Sequence, residues 1–107
     1  MGKEQLKSLL GTLKTKLADL YGDRLKGLYL FGSYARGTQE SESNLDVLII
    51  LDSFQDYGTE IRRTGKLISD LSLENDLSIS NVFIRESEWK QGDSPFLRNV
   101  RQEAIAA

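Results

Sequence analysis

The chain of 107 residues contains no cysteine and no histidine. Disulfides, zinc-thiolate centres and catalysis by a cysteine or histidine nucleophile are therefore excluded. A bound metal ion would need oxygen ligands, which favours magnesium or manganese over zinc. The group that accepts a catalytic proton would have to be a carboxylate, a lysine, a tyrosine or water.

Long apolar runs and an excess of positive charge are also missing. No apolar run approaches the roughly 18 residues of a membrane-spanning helix, and no signal peptide is visible at Met1-Gly2-Lys3. We therefore expect a cytoplasmic protein that does not associate with a membrane. The net charge is −2, from 14 basic and 16 acidic residues. Direct nucleic-acid binding is not expected, because proteins that bind the phosphate backbone are usually basic. The length and an apolar fraction of 39% predict one globular domain over residues 1–107.

Hydrophobic periodicity predicts alternating helices and strands. Leucines at intervals of three and four mark the first helix, and the unbroken apolar run at 45–51 marks a strand covered on both faces. The predicted helices are 3–21, one turn at 33–36, one from Ser53 or Asp56 to Leu73, 86–91, and one from Pro95 to the C-terminus. The predicted strands are 26–32, 45–51 and 77–84. This order indicates a small α/β (α+β) fold.

Gly32-Ser33 lies at the end of the first strand, where a glycine lets a ligand approach the backbone. A turn that enters a helix there leaves N–H groups free for an anion. The Ser33 hydroxyl and Arg36 would add contacts to phosphate, and Gly37 permits a left-handed turn. The same residues also suit an ordinary tight turn, so this pattern alone leaves both interpretations open.

Asp46 begins the most apolar strand, although aspartate is depleted in strands and a buried unpaired carboxylate is costly. Since strand side chains alternate, Asn44 and Asp46 should point to the same side. Asp46 could lie at the open end of the strand or accept hydrogen bonds from a neighbouring turn. Alternatively, it could bind magnesium beside a phosphate site.

The segment GSYARGTQESESNLDVLII, residues 32–50, resembles the signature of the nucleotidyltransferase superfamily, which has the DNA polymerase β-like fold. That signature is Gly-Ser, a short Ala/Arg-Gly segment and a loop that leads to Asp-x-Asp on the next strand. The size, the element order and the tail SPFLRNVRQEAI are similar to those of minimal nucleotidyltransferases, the MNT proteins. The resemblance implies a small nucleotidyltransferase fold, with a short mixed sheet flanked by helices.

By position, the resemblance assigns the outer phosphates of a nucleotide to Gly32 and Ser33, with Arg36 and Gly37 beside them. Asp46 matches the second metal-binding aspartate of the family, and Asn44 stands where the first is expected. An asparagine keeps a carbonyl oxygen but loses the charge, so metal binding and catalysis are predicted to be impaired. The substitution could be natural degeneracy or an introduced replacement.

The family's third acid usually lies on the neighbouring strand, here predicted at 77–84. Ser78 and Ser80 occupy candidate positions, and neither is an acid. Asp76 is the only nearby carboxylate and could be a third metal ligand, although its position favours the role of a loop residue between helix and strand. The lack of a third acid favours natural degeneracy over a replacement.

The resemblance implies an MNT-type antitoxin that binds and neutralises a HEPN ribonuclease toxin in a hetero-oligomer. Active relatives would transfer AMP from ATP to a toxin tyrosine, with Mg²⁺ or Mn²⁺ as cofactor. Two alternatives are a nucleotide-binding regulatory module without turnover and an active metal-dependent nucleotidyltransferase on another acceptor. Four aromatic residues could contribute to a partner surface or to packing: Phe54, Tyr57, Trp89 and Phe96.

Overall fold

Five α-helices, four strands and one short 3-10 helix (Gly22–Arg24) make up the computed structural model, which describes residues 1–107. The α-helices are α1 (Lys3–Tyr21), α2 (Ser33–Arg36), α3 (Tyr57–Glu74), α4 (Glu86–Gln91) and α5 (Pro95–Glu103). The strands are β1 (Leu25–Phe31), β2 (Leu45–Leu51), β3 (Ile79–Arg85) and β4 (Ile105–Ala106). No helix is both long and apolar enough to cross a lipid bilayer.

The strands form one mixed sheet in the order β3-β2-β1-β4. Strand β2 runs antiparallel to β1 and parallel to β3, and β4 pairs antiparallel with β1. The parallel pair needs a crossover, which α3 supplies between β2 and β3. This arrangement confirms the predicted short mixed sheet flanked by helices.

Strand β2 lies at the centre of the sheet and is covered on both faces, as its apolar run predicts. One face packs against α1 and α3, and its β2 residues are all fully buried: Leu45, Val47, Ile49 and Leu51. On the other face Leu48 and Ile50 pack against Val100 of α5. Because side chains alternate along a strand, Asp46 lies on the α5 face.

Most predicted elements occur close to their predicted positions. Helices α1, α2 and α4 and strand β2 have the predicted bounds, while β1 begins and ends one residue early. Helix α3 begins after Asp56, one of its two predicted caps. Strand β3 begins two residues later than predicted and ends one residue later.

The prediction that the last helix continues to the C-terminus is wrong. Ser94 caps the start of α5, since its side chain accepts a hydrogen bond from the Leu97 N–H, but the helix ends at Glu103. Ala104 has an extended backbone, with φ −64° and ψ 139°, and Ile105 then pairs with Leu30 of β1. The free edge of β1 supplies hydrogen bonds for this segment, and β-branched Ile105 suits a strand.

Candidate functional site

The backbone of Gly32 lies directly against the carboxylate of Asp46. Phe31, the last residue of β1, pairs with Asp46 across the sheet, so the next residue comes beside that side chain. A Cβ atom added to Gly32 would collide with Asp46 Oδ2. Gly32 also has φ 75°, a conformation that residues with a side chain rarely adopt. The glycine is therefore required twice, for its backbone conformation and for the space that it leaves to the acid.

Helix α2 is a single turn that brings Arg36 back towards Gly32. The N–H groups of Ala35 and Arg36 both bond to the Gly32 carbonyl at 3.1 Å. Gly37 ends the turn in the left-handed conformation, with φ 74°. The structure thus places the Gly32 amide, the Arg36 guanidinium and the Asp46 carboxylate in one region, at the end of β1.

Glu103, the last residue of α5, enters this region and was missed by the sequence analysis. Its Oε1 accepts a hydrogen bond from the Gly32 N–H at 3.1 Å, and its Oε2 accepts one from Arg36 Nη1 at 2.9 Å. No local pattern could have identified Glu103, because the contact depends on where α5 ends relative to β1. The tail SPFLRNVRQEAI contains Glu103, but its resemblance to the family assigned no role to this residue.

The two carboxylates of the site have pKa values shifted in opposite directions. Partial burial raises the pKa of Asp46, the positive charge of Arg36 opposes that shift, and the negative charge of Glu103 adds to it. The hydrogen bond from Arg36 is the main cause that holds the pKa of Glu103 below its usual range. Arg36 therefore compensates Glu103 more fully than Asp46, whose anion is the less stabilised of the two.

The other predicted metal ligands do not join Asp46 in an acidic cluster. Asn44 is exposed and lies two residues before Asp46, outside β2. The neighbour of Asp46 on β3 is Ser80, which is in register with it and carries no charge. Asp76 lies exposed in the turn between α3 and β3, with φ 52°. No group of three or more acidic side chains in the chain could hold a metal ion.

This donor set nevertheless fits a magnesium or manganese ion that arrives with a nucleotide. Mg²⁺ is commonly held by one or two carboxylates together with substrate phosphates, rather than by a cage of protein ligands. Asp46 supplies such a carboxylate, and its less stabilised anion would gain from a nearby cation. The Asn44 carbonyl oxygen is a second, uncharged donor close by in sequence.

The four aromatic residues proposed for a contact surface divide into two groups. Phe54 is buried, and the ring centroid of Trp89 lies 4.9 Å from that of Tyr29. Tyr57 and Phe96 are 43% and 42% exposed. Phe96 packs edge to face on Phe31, the residue before Gly32, so it is the one exposed aromatic of the four beside the candidate site.

The size of a cleft does not identify the site in this chain. A cleft of about 530 Å³ lies between α1 and α3, and its lining includes Lys16, Arg63 and Lys66. It contains neither Gly32 nor Asp46 and lies on the opposite side of the sheet from Asp46. The Gly32 amide, the Arg36 guanidinium and the Asp46 carboxylate instead make the end of β1 the candidate site.

Comparison with known proteins gives the family. The family described as "Nucleotidyltransferase domain" matches residues 10–106. A protein of Methanocaldococcus jannaschii that is named as a protein adenylyltransferase is 31% identical over 101 residues, which are 94% of this chain and 92% of that protein.

Solved structures share the fold. A toxin–antitoxin structure with AMP-PNP matches 99% of this chain and 72% of that chain, with a TM-score of 0.61 and 19% identity. A complex of the tri-AMPylated Shewanella oneidensis HEPN toxin with its MNT antitoxin matches 95% of this chain and 70% of that chain, with a TM-score of 0.57 and 17% identity. This chain therefore belongs to the nucleotidyltransferase family and has the fold of its minimal, MNT-type members.

Proposed function

We propose that this chain binds ATP between Gly32 and Gly37, with one magnesium ion at Asp46, and acts as an MNT-type antitoxin on a HEPN-type toxin. The observation that carries the nucleotide site is the contact between the Gly32 backbone and the Asp46 carboxylate. It brings phosphate donors and a metal ligand together, which a reaction at a triphosphate requires.

Each residue would have a distinct role towards the triphosphate. The Gly32 amide, the Ser33 hydroxyl and the Arg36 guanidinium would bind and orient the outer phosphates. Asp46 would hold the cation, which supplies charge neutralisation at the phosphates when it is bound. With Asn44 in place of a second carboxylate, this chain would hold the cation weakly.

In AMP transfer, a tyrosine hydroxyl of the partner would attack the α-phosphorus of ATP. A new oxygen–phosphorus bond would form, the bond to the β-phosphate oxygen would break, and pyrophosphate would leave while the hydroxyl proton passed to solvent. The residues of this chain would position the triphosphate for that attack. Because Asn44 would leave the cation weakly held, we expect the same transfer reaction at a lower rate.

Support for the partner comes from the structural neighbours and from the surface near the site. Among the neighbours of the same fold, one comes from a toxin–antitoxin structure and another from a complex of an MNT antitoxin with a HEPN toxin. Phe96 is 42% exposed on α5, the helix that ends at Glu103, and Ile105 is 51% exposed on β4, which follows that helix. Exposed apolar side chains beside a reaction site would suit a protein acceptor in a hetero-oligomer.

The test is transfer of labelled AMP from ATP and magnesium to a HEPN-type protein encoded beside this chain. The native chain, the Asn44→Asp variant and the Asp46→Asn variant would be compared with the same partner. We expect strong labelling by Asn44→Asp, weak or no labelling by the native chain and none by Asp46→Asn. Labelling that is equally fast with and without Asp46 would contradict the proposed site.

A nucleotide-binding module without turnover is the second candidate function. The exposed amide at position 44 and the absence of a three-acid cluster favour it. Calorimetric titration of ATP with magnesium into the chain alone, combined with the labelling assay, distinguishes the two functions. Binding without partner labelling by either the native chain or Asn44→Asp would support the module, whereas labelling by Asn44→Asp would support the transferase.

A further inference from the structure

We infer that Glu103 is a built-in competitor of the nucleotide, whose carboxylate occupies donors that the phosphates need. This inference concerns regulation of the site under the proposed function and rests on that function. It makes the end of α5 an autoinhibitory contact that must open before a triphosphate can bind fully.

The geometry of the contact is that of an anion bound at two points. One carboxylate oxygen accepts from the Gly32 N–H and the other from Arg36 Nη1, at 3.1 and 2.9 Å. A phosphate group presents the same acceptor oxygens and would use the same two donors. A backbone N–H and one guanidinium edge cannot serve both anions in full, so Glu103 and a phosphate exclude each other there.

Electrostatics favour the exchange once a nucleotide arrives. Asp46 and Glu103 are close enough for the charge of Glu103 to raise the pKa of Asp46. A triphosphate placed between them would face two carboxylates and one guanidinium. When the Glu103 side chain moves away, that repulsion falls and the Arg36 guanidinium is free to bind the phosphates. Asp46 stays in place as the cation ligand.

The position of Glu103 makes such a movement local. It is the last residue of α5, and Ala104 after it is already extended. Val100 anchors the preceding turn of α5, because it is 3% exposed and packs against Leu48 and Ile50 of β2. The Glu103 side chain is 24% exposed and that of Arg36 is 52% exposed, so both ends of the ion pair can reach water. Rotation of the side chain or fraying of the last turn is enough to free the donors.

The consequence is a lowered apparent affinity for nucleotide. When only a fraction of molecules is competent to bind, the apparent dissociation constant equals the intrinsic one divided by that fraction. A partner that binds the end of α5 and draws Glu103 away would therefore increase nucleotide affinity. Nucleotide binding would in turn favour that partner, because the coupling is reciprocal.

The test is calorimetric titration of ATP, with and without magnesium, into the native chain and three variants. Glu103→Gln removes the competing charge, and Glu103→Asp keeps the charge but shortens the side chain by one methylene. Glu74→Gln is the control for net charge, since Glu74 is exposed at the end of α3 on the other side of the sheet. Circular dichroism would check that each variant is folded, and Glu103→Asp carries the comparison if Glu103→Gln is not.

We expect Glu103→Gln to bind ATP about three- to tenfold more tightly than the native chain, because a partly exposed ion pair is a modest competitor. Glu103→Asp should be intermediate and Glu74→Gln unchanged. Equal or weaker binding by both Glu103 variants, with native binding intact, would overturn the inference and leave the proposed function standing. Weakening only when magnesium is present would instead make Glu103 a metal ligand and would also overturn it. If neither the native chain nor any variant binds ATP, the proposed function fails and the inference with it.

Discussion

The two faces of strand β2 serve different purposes. The face towards α1 and α3 is an uninterrupted apolar core, and its four β2 residues are each 0% exposed: Leu45, Val47, Ile49 and Leu51. The face towards α5 is apolar at Leu48 and Ile50 but ends at Asp46, beside Gly32 and Glu103. The first face is built for stability. The second keeps a poorly stabilised carboxylate at its end, which stability alone does not explain.

The largest expected effect on stability belongs to the apolar face. Replacing Ile49 by alanine would leave a cavity at the centre of the core, and we expect the free energy of unfolding to fall by about 2–5 kcal/mol. Urea denaturation followed by circular dichroism measures this change. A loss below about 1 kcal/mol would mean that the core is less tightly packed than the contacts indicate.

The largest expected effect on the site belongs to Gly32. In Gly32→Ala the new methyl group would displace the Asp46 carboxylate, and φ 75° would be strained by roughly 1–3 kcal/mol. We expect ATP binding to weaken by about tenfold or more, measured by calorimetric titration.

Gly65→Ala is the matched control for this substitution. Gly65 lies in α3, and an added Cβ would meet nothing within 4 Å. This variant should keep native ATP binding and stabilise the helix by about 0.5–1 kcal/mol. Equal ATP affinity in the two variants would show that the glycine at the site has no special role.

Asp46→Asn should abolish magnesium-dependent ATP binding while changing the free energy of unfolding less than Ile49→Ala does. Burial raises the pKa of Asp46, so the folded state holds this proton more tightly than the unfolded state. The stabilisation from that proton is present below the unfolded pKa and is lost as the pH rises through the folded pKa. At neutral pH Asp46→Asn should therefore raise the free energy of unfolding slightly, by less than about 1 kcal/mol, while magnesium-dependent ATP binding is lost.

Thermal unfolding from pH 4 to pH 8 checks the sign of this effect. The advantage of Asp46→Asn over the native chain should grow as the pH rises through the folded pKa of Asp46 and should vanish in acid. An advantage that is constant with pH would assign the difference to packing. A variant that is less stable at neutral pH would contradict the account of Asp46 as a poorly stabilised anion.

An element could be predicted from the sequence where it depends on a local pattern, and could not where it depends on contacts between distant parts of the chain. The apolar run 45–51 and the leucine repeat of α1 are local patterns, and each lies within a single element. The bounds of β2 and α1 were therefore predicted correctly. Strand β4 has two residues and no period, and it forms only because β1 offers a free edge. The bond between Glu103 and the Gly32 amide spans 71 positions of the chain and depends on how α5 docks on the sheet.

We propose that nucleotide binds at the end of β1 rather than in the cleft between α1 and α3. Titration of the isotope-labelled chain with ATP and magnesium, followed by amide NMR, tests it most directly. We expect the largest shifts at residues 32–37, at Asp46 and at Glu103, with little change at Lys16, Arg63 and Lys66. Shifts concentrated at those three residues of the cleft, with the amides of Gly32 and Ser33 unmoved, would contradict it.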